Sequence, residues 1–191
     1  MLIRRAVVLL AVAIGGCASA PSVPLPDERG ELVSSAEMCA AVQCIHDVRI
    51  LLKAEDGSVF DKTFDALPVV QDMGVFVYAG QMLYFEAEEE DGKLSKLKHV
   101  EQVTRPERTL SAKLEQDEKG HMLLVTTNPF KQNLRIRMGM MQLSSDRLER
   151  TSSCPVIAGG SSFEMWPYPI FQIVLGDMRL MEAEESMSCV E

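Results

Sequence analysis

The side chains of this sequence best suited to acid–base chemistry are its three histidines, His46, His99 and His121. Nucleophilic catalysis requires such a base to lie beside an activated hydroxyl or thiol. No serine occupies a Gly-x-Ser-x-Gly turn, and Ser161-Ser162 follows two glycines, which is typical of a loop. We therefore predict no catalytic residue. A hydrolase that gathers one histidine with a carboxylate and a serine is the alternative.

Soft ligands could instead bind a metal ion. Cys39, Cys44 and His46 lie close together in the sequence, and the thioethers of Met138 and Met140 suit Cu(I). The spacing of the two cysteines is wider than the Cys-x-x-Cys of thiol redox proteins. Methionine is also a common filler of irregular gaps in protein cores. We predict core packing for the methionines and no metal or cofactor, with copper binding as the alternative.

Two prolines stiffen the aromatic segment Trp166-Pro167-Tyr168-Pro169-Ile170-Phe171. If this segment is exposed, its rings offer a contact surface that loses little entropy on binding. If it is buried, Trp166 and Phe171 are core residues at the start of a strand. We take Trp166, Tyr168 and Phe171 as candidate interaction residues.

The first residues have the pattern of an export signal. Arg4 and Arg5 precede an uncharged apolar run over 6–14, and Gly15-Gly16 then precede Cys17. The run is much shorter than the roughly twenty apolar residues that a membrane-spanning helix needs. Small residues at its end mark a cleavage point. Residues 1–16 are therefore predicted to be a signal peptide.

The segment Ile14-Gly15-Gly16-Cys17 resembles the lipobox of bacterial lipoproteins, which is an aliphatic residue, two small residues and the cysteine that receives lipid. The resemblance implies that Cys17 becomes the acylated N-terminus, with palmitate or a similar chain inserted in a bilayer. Ala18 replaces the aspartate that often retains such proteins at the inner membrane, which implies the periplasmic side of a Gram-negative outer membrane. Ala18-Ser19-Ala20 also fits ordinary signal cleavage, so a soluble periplasmic or secreted product is the alternative.

The charge of the chain excludes one class of partner. The formal charge is -9, and loss of Arg4 and Arg5 with the signal takes it to about -11. An acidic surface repels nucleic acid, and Arg135 with Arg137 does not form a basic stripe. We expect the partners to be the bilayer, through acylated Cys17, and another envelope protein.

Export also places the remaining cysteines in an oxidising compartment, where four thiols allow three pairings. We favour Cys39–Cys44, which are close in sequence, and Cys154–Cys189, which share one C-terminal block. The second pair would close a loop of about 35 residues, worth roughly 3–4 kcal/mol in the chain-entropy model. It would also hold the tail 182–191 in place.

The chain divides into a signal peptide (1–16), the lipidated cysteine with a flexible tether (17–33) and a single β-rich domain (34–191). The tether contains three prolines and too little apolar sequence to pack. Ser34-Ser35-Ala36-Glu37 has the pattern of a capping box, which predicts a short helix that the first disulfide closes.

Strands are predicted from Asp47 onward, where the apolar period becomes two. Val48, Ile50 and Leu52 mark the first strand, and Asp56-Gly57 predicts a hairpin turn. The segment 93–103 fits helical and strand periods alike and is taken as a strand because its neighbours are strands. Further strands are predicted over 59–64, 73–78, 81–88, 110–114, 121–127, 134–140 and 170–175, and 178–181 is expected to extend the sheet. Gly159-Gly160 predict a loop before the segment 163–166.

These short strands, separated by turns and preceded by one short helix, predict a mostly β fold. The first choice is an antiparallel β-sandwich of immunoglobulin-like character, although Cys154, Trp166 and Cys189 do not meet the immunoglobulin spacing. The acidic run 86–91 lacks calcium-loop spacing and is predicted to be a solvated hairpin tip. The function expected is that of a non-enzymatic protein-interaction or assembly module, which presents a strand edge or the segment 166–171.

Overall fold

The computed structural model describes residues 35–190, so the predicted signal peptide, Cys17 and the tether lie outside the described residues, as does Ser34 of the predicted capping box. The described chain is mostly antiparallel β-sheet, as expected, with one short helix and one 3-10 turn. The elements in chain order are α1 (Ser35–Ala41), β1 (Gln43–Lys53), β2 (Val59–Gln71), β3 (Gly74–Tyr78), β4 (Met82–Glu90), β5 (Lys93–Val100), the 3-10 turn Pro106–Arg108, β6 (Thr109–Gln116), β7 (Met122–Thr127), β8 (Leu134–Gln142), β9 (Glu149–Thr151), β10 (Ser161–Trp166) and β11 (Ile170–Leu180).

Strand pairing in residues 35–190 follows one path in the order β1-β2-β3-β11-β5-β4-β6-β7-β10, and β8 pairs with the other edge of β11 and with β9. Every pair is antiparallel. A single residue pair, Arg179 with Lys93, joins β11 to β5, so the path divides there into two runs of strands. Both runs contribute side chains to one apolar cluster. The arrangement is consistent with the expected sandwich, and the immunoglobulin-like strand order stays a prediction.

The alternation of apolar and polar residues along the strands produces the core, as the sequence predicts. Val48, Ile50 and Leu52 of β1 are buried, whereas Arg49 and Leu51 between them are exposed. Full burial of one such aliphatic side chain contributes about 1.5–3 kcal/mol. β11 lies between β3 and β8 and is apolar on both faces from Ile173 to Leu175, which explains its continuous apolar sequence.

Three elements differ from the prediction in their bounds or existence, namely β1, β2 and β9. β1 begins at Gln43, before the expected start at Asp47. β2 continues to Gln71, well past the expected end at Phe64, and its second half is buried around Pro68. The carbonyl oxygen of Pro68 accepts a hydrogen bond from the Tyr78 hydroxyl at 2.8 Å. β9 was not predicted, because three residues are too short to show a period. The ambiguous segment after Gly92 is strand β5, as favoured.

Both favoured disulfides are present. Cys39–Cys44 joins α1 to the start of β1, and Cys154–Cys189 fastens the segment after β9 to the C-terminal tail. The backbone of Ser153 and Val190 forms an antiparallel bridge beside the second disulfide, so the tail is held by two kinds of link. Within residues 35–190, no helix has the length and apolar content to cross a bilayer.

Candidate interaction surface

The structure places Trp166 inside the domain, which corrects the expectation that this ring could be presented to a partner. Its residue exposure is only 7%, and its indole N–H donates a hydrogen bond to Thr151 Oγ1 at 2.9 Å. Trp166 faces inward because it is opposite the buried Met122 in the β10–β7 ladder. The ring therefore contributes to the core.

The other two aromatic candidates are half-buried. The ring of Phe171 makes edge contacts with Phe60, Phe64 and Tyr78, with centroids 6.1, 5.7 and 5.8 Å apart. Tyr168 packs against the core, and its hydroxyl lies 3.7 Å from Met140 Sδ. Edge-to-face pairs of this kind stabilise the fold by about 0.5–1.5 kcal/mol each beyond their burial. The segment 166–171 thus ties β11 to its neighbours more than it forms a surface.

The most exposed large apolar side chains of the described residues lie instead on β10. Phe163 is 68% exposed and Met165 is 67% exposed. They alternate with the buried Ser162 and Trp166, so both project from the outer face of the strand. β10 is the last strand of the pairing path.

The main chain of β10 is also open on one side. The Asn128 N–H donates to the Gly160 carbonyl at 2.9 Å in register with the ladder, so the hydrogen-bonded positions of β10 are even-numbered. The N–H and C=O groups of Phe163 and Met165 therefore point away from β7. Among residues 35–190, no strand pairs with that side. This open side is a template for an added strand.

Apolar residues continue from this edge onto the face of the sheet. Val125 is opposite Phe163 and Leu123 is opposite Met165, and both are half-buried. Beyond them on β6, the ammonium of Lys113 pairs with the Glu115 carboxylate at 2.5 Å. We call Phe163, Met165, Leu123 and Val125, with the open main chain of β10, the β10 edge surface. It contains no lysine, proline or bulge, three of the devices that protect an exposed edge. The one charged residue of β10, Glu164, lies on the opposite face and accepts a hydrogen bond from the Cys154 N–H at 2.7 Å.

The histidines do not assemble a nucleophile–base pair. Nδ1 of His121 lies 3.3 Å from the Asp117 carboxylate in the turn before β7. His46 and His99 line one cleft with Tyr84 and Glu101, and burial lowers the pKa of His99. In the part of the chain that the structure describes, no histidine ring is hydrogen-bonded to a serine hydroxyl. The geometry offers the hydrolase alternative no support.

The suggested metal ligands are used otherwise. Cys39 and Cys44 are joined to each other, which removes both thiolates, and His46 is left exposed on β1. Met138 and Met140 point into the core from β8, where the strand period places them. Between Ser35 and Val190, no three His, Cys, Asp or Glu side chains converge as metal ligands.

The acidic run 86–91 ends at the exposed tip of the β4–β5 hairpin, as expected, but its first residue is not solvated. Glu86 is buried, and its carboxylate lies 3.5 Å from Arg105 and 3.7 Å from Arg108. Lys96 binds Glu88 and Glu90 at 2.8 Å each and lowers the pKa of both carboxyls. The sequence did not reveal the pairs of Glu86 because both arginines come from beyond β5, one just before the 3-10 turn and one in it.

The alternation from Ser162 to Trp166 could have identified β10 as a strand. Its position at an edge could not be predicted, because it depends on which strands pair with each other.

Comparison with known proteins adds no relative: the chain matches no protein-family model, no curated protein and no solved structure. The β10 edge surface therefore has to be interpreted from its own geometry.

Proposed function

We propose that this chain is a lipid-anchored envelope protein that acts as a non-enzymatic interaction module, and that an extended segment of another envelope protein adds to β10. The open main chain of Phe163 and Met165 carries the proposal. Strand addition takes its affinity from main-chain hydrogen bonds and its specificity from the side chains beside them. No charged side chain lies at the outward positions of β10, so an uncharged, apolar strand fits this edge.

The location rests on the resemblance of Ile14-Gly15-Gly16-Cys17 to a lipobox and is supported by the two disulfides. Disulfides persist in oxidising compartments and are rare in the cytosol of most bacteria. We propose the periplasmic face of the outer membrane, with acylated Cys17 in the bilayer. The test is the mass of the N-terminal fragment of protein from a Gram-negative host. The fragment should begin at Cys17 and carry acyl chains, and an unmodified N-terminal Met1 on a soluble product would reject the anchor.

Partner addition is tested by placing a photo-crosslinking amino acid at position 163 in the full chain in cells. Val59 is the matched control, because it is 65% exposed on a different strand. The crosslinker at 163 should give one reproducible product with an envelope protein, and the crosslinker at 59 should not. The same products from both positions, or a product that contains only this chain, would contradict the proposal.

Main-chain recognition is tested by Met165→Pro against Met165→Ala. The proline removes an N–H that points away from β7, so the ladder with β7 is retained and only the added strand loses a donor. Met165→Pro should abolish the crosslink from position 163, and Met165→Ala should weaken it only partly. Equal loss in both variants would show that the side chain, and not strand addition, carries the contact.

A further inference from the structure

Strand register brings four arginines to one face of the molecule. Arg135 and Arg137 project from the side of β8 opposite its core residues. In the ladders, Arg179 of β11 is opposite Arg135, and Arg150 of β9 is opposite Gly139, two residues from Arg137. Because residues at matching or two-residue offsets share a face, the four guanidinium groups are neighbours.

These arginines line a cavity of about 480 Å³, together with Asp177, Glu185 and residues of the C-terminal tail. Among the lining side chains, four positive charges face two negative charges. The surplus of two positive charges stands out in a chain whose formal charge is -9. A concave site lined by one sign of charge concentrates ions of the opposite sign.

The C-terminal tail already binds two of the four arginines, Arg135 and Arg179. Both Arg135 and Arg179 bind the Glu185 carboxylate, and the remaining nitrogens of Arg135 donate to the carbonyls of Ser186 and Ser188 at 2.6 and 3.1 Å. These contacts fix the floor of the cavity. Because the two guanidinium groups share one carboxylate, the floor keeps one surplus positive charge.

Arg150 provides the second surplus charge at the mouth, beside the pair of Arg137 with Asp177. Arg150 is exposed and forms no ion pair with another side chain of residues 35–190. Arg137 is 69% exposed and meets Asp177 at 3.2 Å, a pair that water weakens. Between them on this face, Gly139 has no side chain of its own and is covered by the Leu148 side chain, whose nearest atoms would lie 3.2 Å from a Cβ at this position. Arg150 is thus available to a ligand, and the exposed guanidinium group of Arg137 lies beside it with one weakly bound partner.

We propose that this cavity binds a phosphate group, held by Arg150 and Arg137 above the fixed pair Arg135 and Arg179. A phosphate monoester or inorganic phosphate carries about -1.5 to -2 charges near neutral pH, which matches the surplus, whereas a carboxylate would neutralise only half of it. The guanidinium fork also fits phosphate oxygens in a bidentate manner. The phosphate belongs to a free anion or to a lipid headgroup.

The test titrates inorganic phosphate into the full-length lipidated protein in neutral detergent, followed by calorimetry. Acetate is the comparison anion. Phosphate should bind and acetate should bind at least tenfold more weakly. Arg150→Ala should weaken phosphate binding about tenfold or more, and Arg147→Ala, an exposed arginine on the preceding loop, should leave it unchanged.

A second arm adds phosphatidic acid to the same micelles, with phosphatidylcholine as its control. Binding of phosphatidic acid that depends on Arg150, without binding of inorganic phosphate, assigns a lipid source, and binding of both assigns the phosphate group itself. Absence of binding in both arms, or equal weakening by Arg147→Ala and Arg150→Ala, would overturn the proposal. These outcomes are independent of strand addition at β10.

Discussion

The carboxamide of Gln116 pairs with the main-chain N–H and carbonyl of Lys53 as a neighbouring strand residue would. Its Oε1 accepts the Lys53 N–H at 2.7 Å, and its Nε2 donates to the Lys53 carbonyl at 2.9 Å. Gln43 makes the same kind of bridge at the other end of β1, since its Oε1 accepts the His99 N–H and its Nε2 donates to the Leu97 carbonyl. Two glutamines therefore fasten the edge strand β1 to β5 and β6, where no ladder is formed.

Gln116→Ala should lower the free energy of unfolding by about 1–2 kcal/mol, because it removes two hydrogen bonds to the main chain of Lys53 and one from Nε2 to the Gly120 carbonyl at 3.1 Å. The measurement is denaturant unfolding of the full-length protein in detergent. Gln132→Ala is the control, because Gln132 is exposed and its carboxamide makes no hydrogen bond to the described residues. Equal effects of the two substitutions would show that the Lys53 bridge contributes nothing.

Gly74→Ala should be among the most damaging single substitutions. A Cβ at this position would lie 2.0 Å from the carbonyl oxygen of Leu175, and the φ angle of 132° disfavours any side chain. We expect a loss of more than about 3 kcal/mol or failure to fold. Gly57 in the β1–β2 turn also has positive φ but open space around it, so Gly57→Ala should cost only about 1–2 kcal/mol. A similar cost for both would exclude the clash as the cause.

Local pattern predicts local structure well in this chain. The alternation around Ile50 identified β1, and the Asp56-Gly57 turn lies between β1 and β2, where Gly57 has a φ of 83°. Both disulfide pairs follow from sequence spacing. The full length of β2 was not predicted, because a proline such as Pro68 is typical of a strand end. In the structure β2 continues past Pro68, whose carbonyl accepts a hydrogen bond from the Tyr78 hydroxyl.

Non-local pairing could not be predicted. β10 becomes an edge, and Trp166 becomes buried, only because β10 pairs with β7 and lies above Thr151. The arginine cavity likewise joins residues from β8, β9 and β11, and Arg150 belongs to a strand too short to have a period. A single sequence shows which side chains are present, but it does not show the strand pairing and register that bring them together.

Removal of the two disulfides should have unequal effects. Cys154–Cys189 spans 35 residues and Cys39–Cys44 spans 5, so the chain-entropy model predicts losses of about 4 and about 2 kcal/mol. The double substitutions Cys154→Ser with Cys189→Ser, and Cys39→Ser with Cys44→Ser, are compared by denaturant unfolding. A larger loss from the short loop would mean that contacts, and not loop entropy, determine the contribution of each disulfide.

Trp166 is the single tryptophan, so intrinsic fluorescence reports its environment alone. Because the ring is buried, the native protein should resist acrylamide quenching, and emission should move to longer wavelength on unfolding. Thr151→Val leaves the indole N–H without its acceptor and should cost about 1–3 kcal/mol. Thr104→Val, at an exposed position, is the control. Strong quenching in the folded protein would contradict the buried position.

The ion pairs of Glu185 with Arg135 and Arg179 should make the C-terminal tail sensitive to acid. Hydrogen bonds from Arg179, followed by the contribution of Arg135, lower the pKa of Glu185 from 4.5 to about 2. A carboxyl whose pKa is lower in the folded state than in the unfolded state stabilises the fold fully above pH 4.5, and this stabilisation is lost as the pH falls toward 2. Glu185→Gln should therefore destabilise the protein at pH 6 and flatten the dependence of its stability on pH between about pH 4.5 and 2.

Glu184→Gln, at the exposed neighbouring position, is the control and should keep the native pH dependence in denaturant unfolding across that range. An unchanged slope in Glu185→Gln would show that other carboxyls control the acid response, and the tail would then be held by Cys154–Cys189 and the Ser153–Val190 bridge alone.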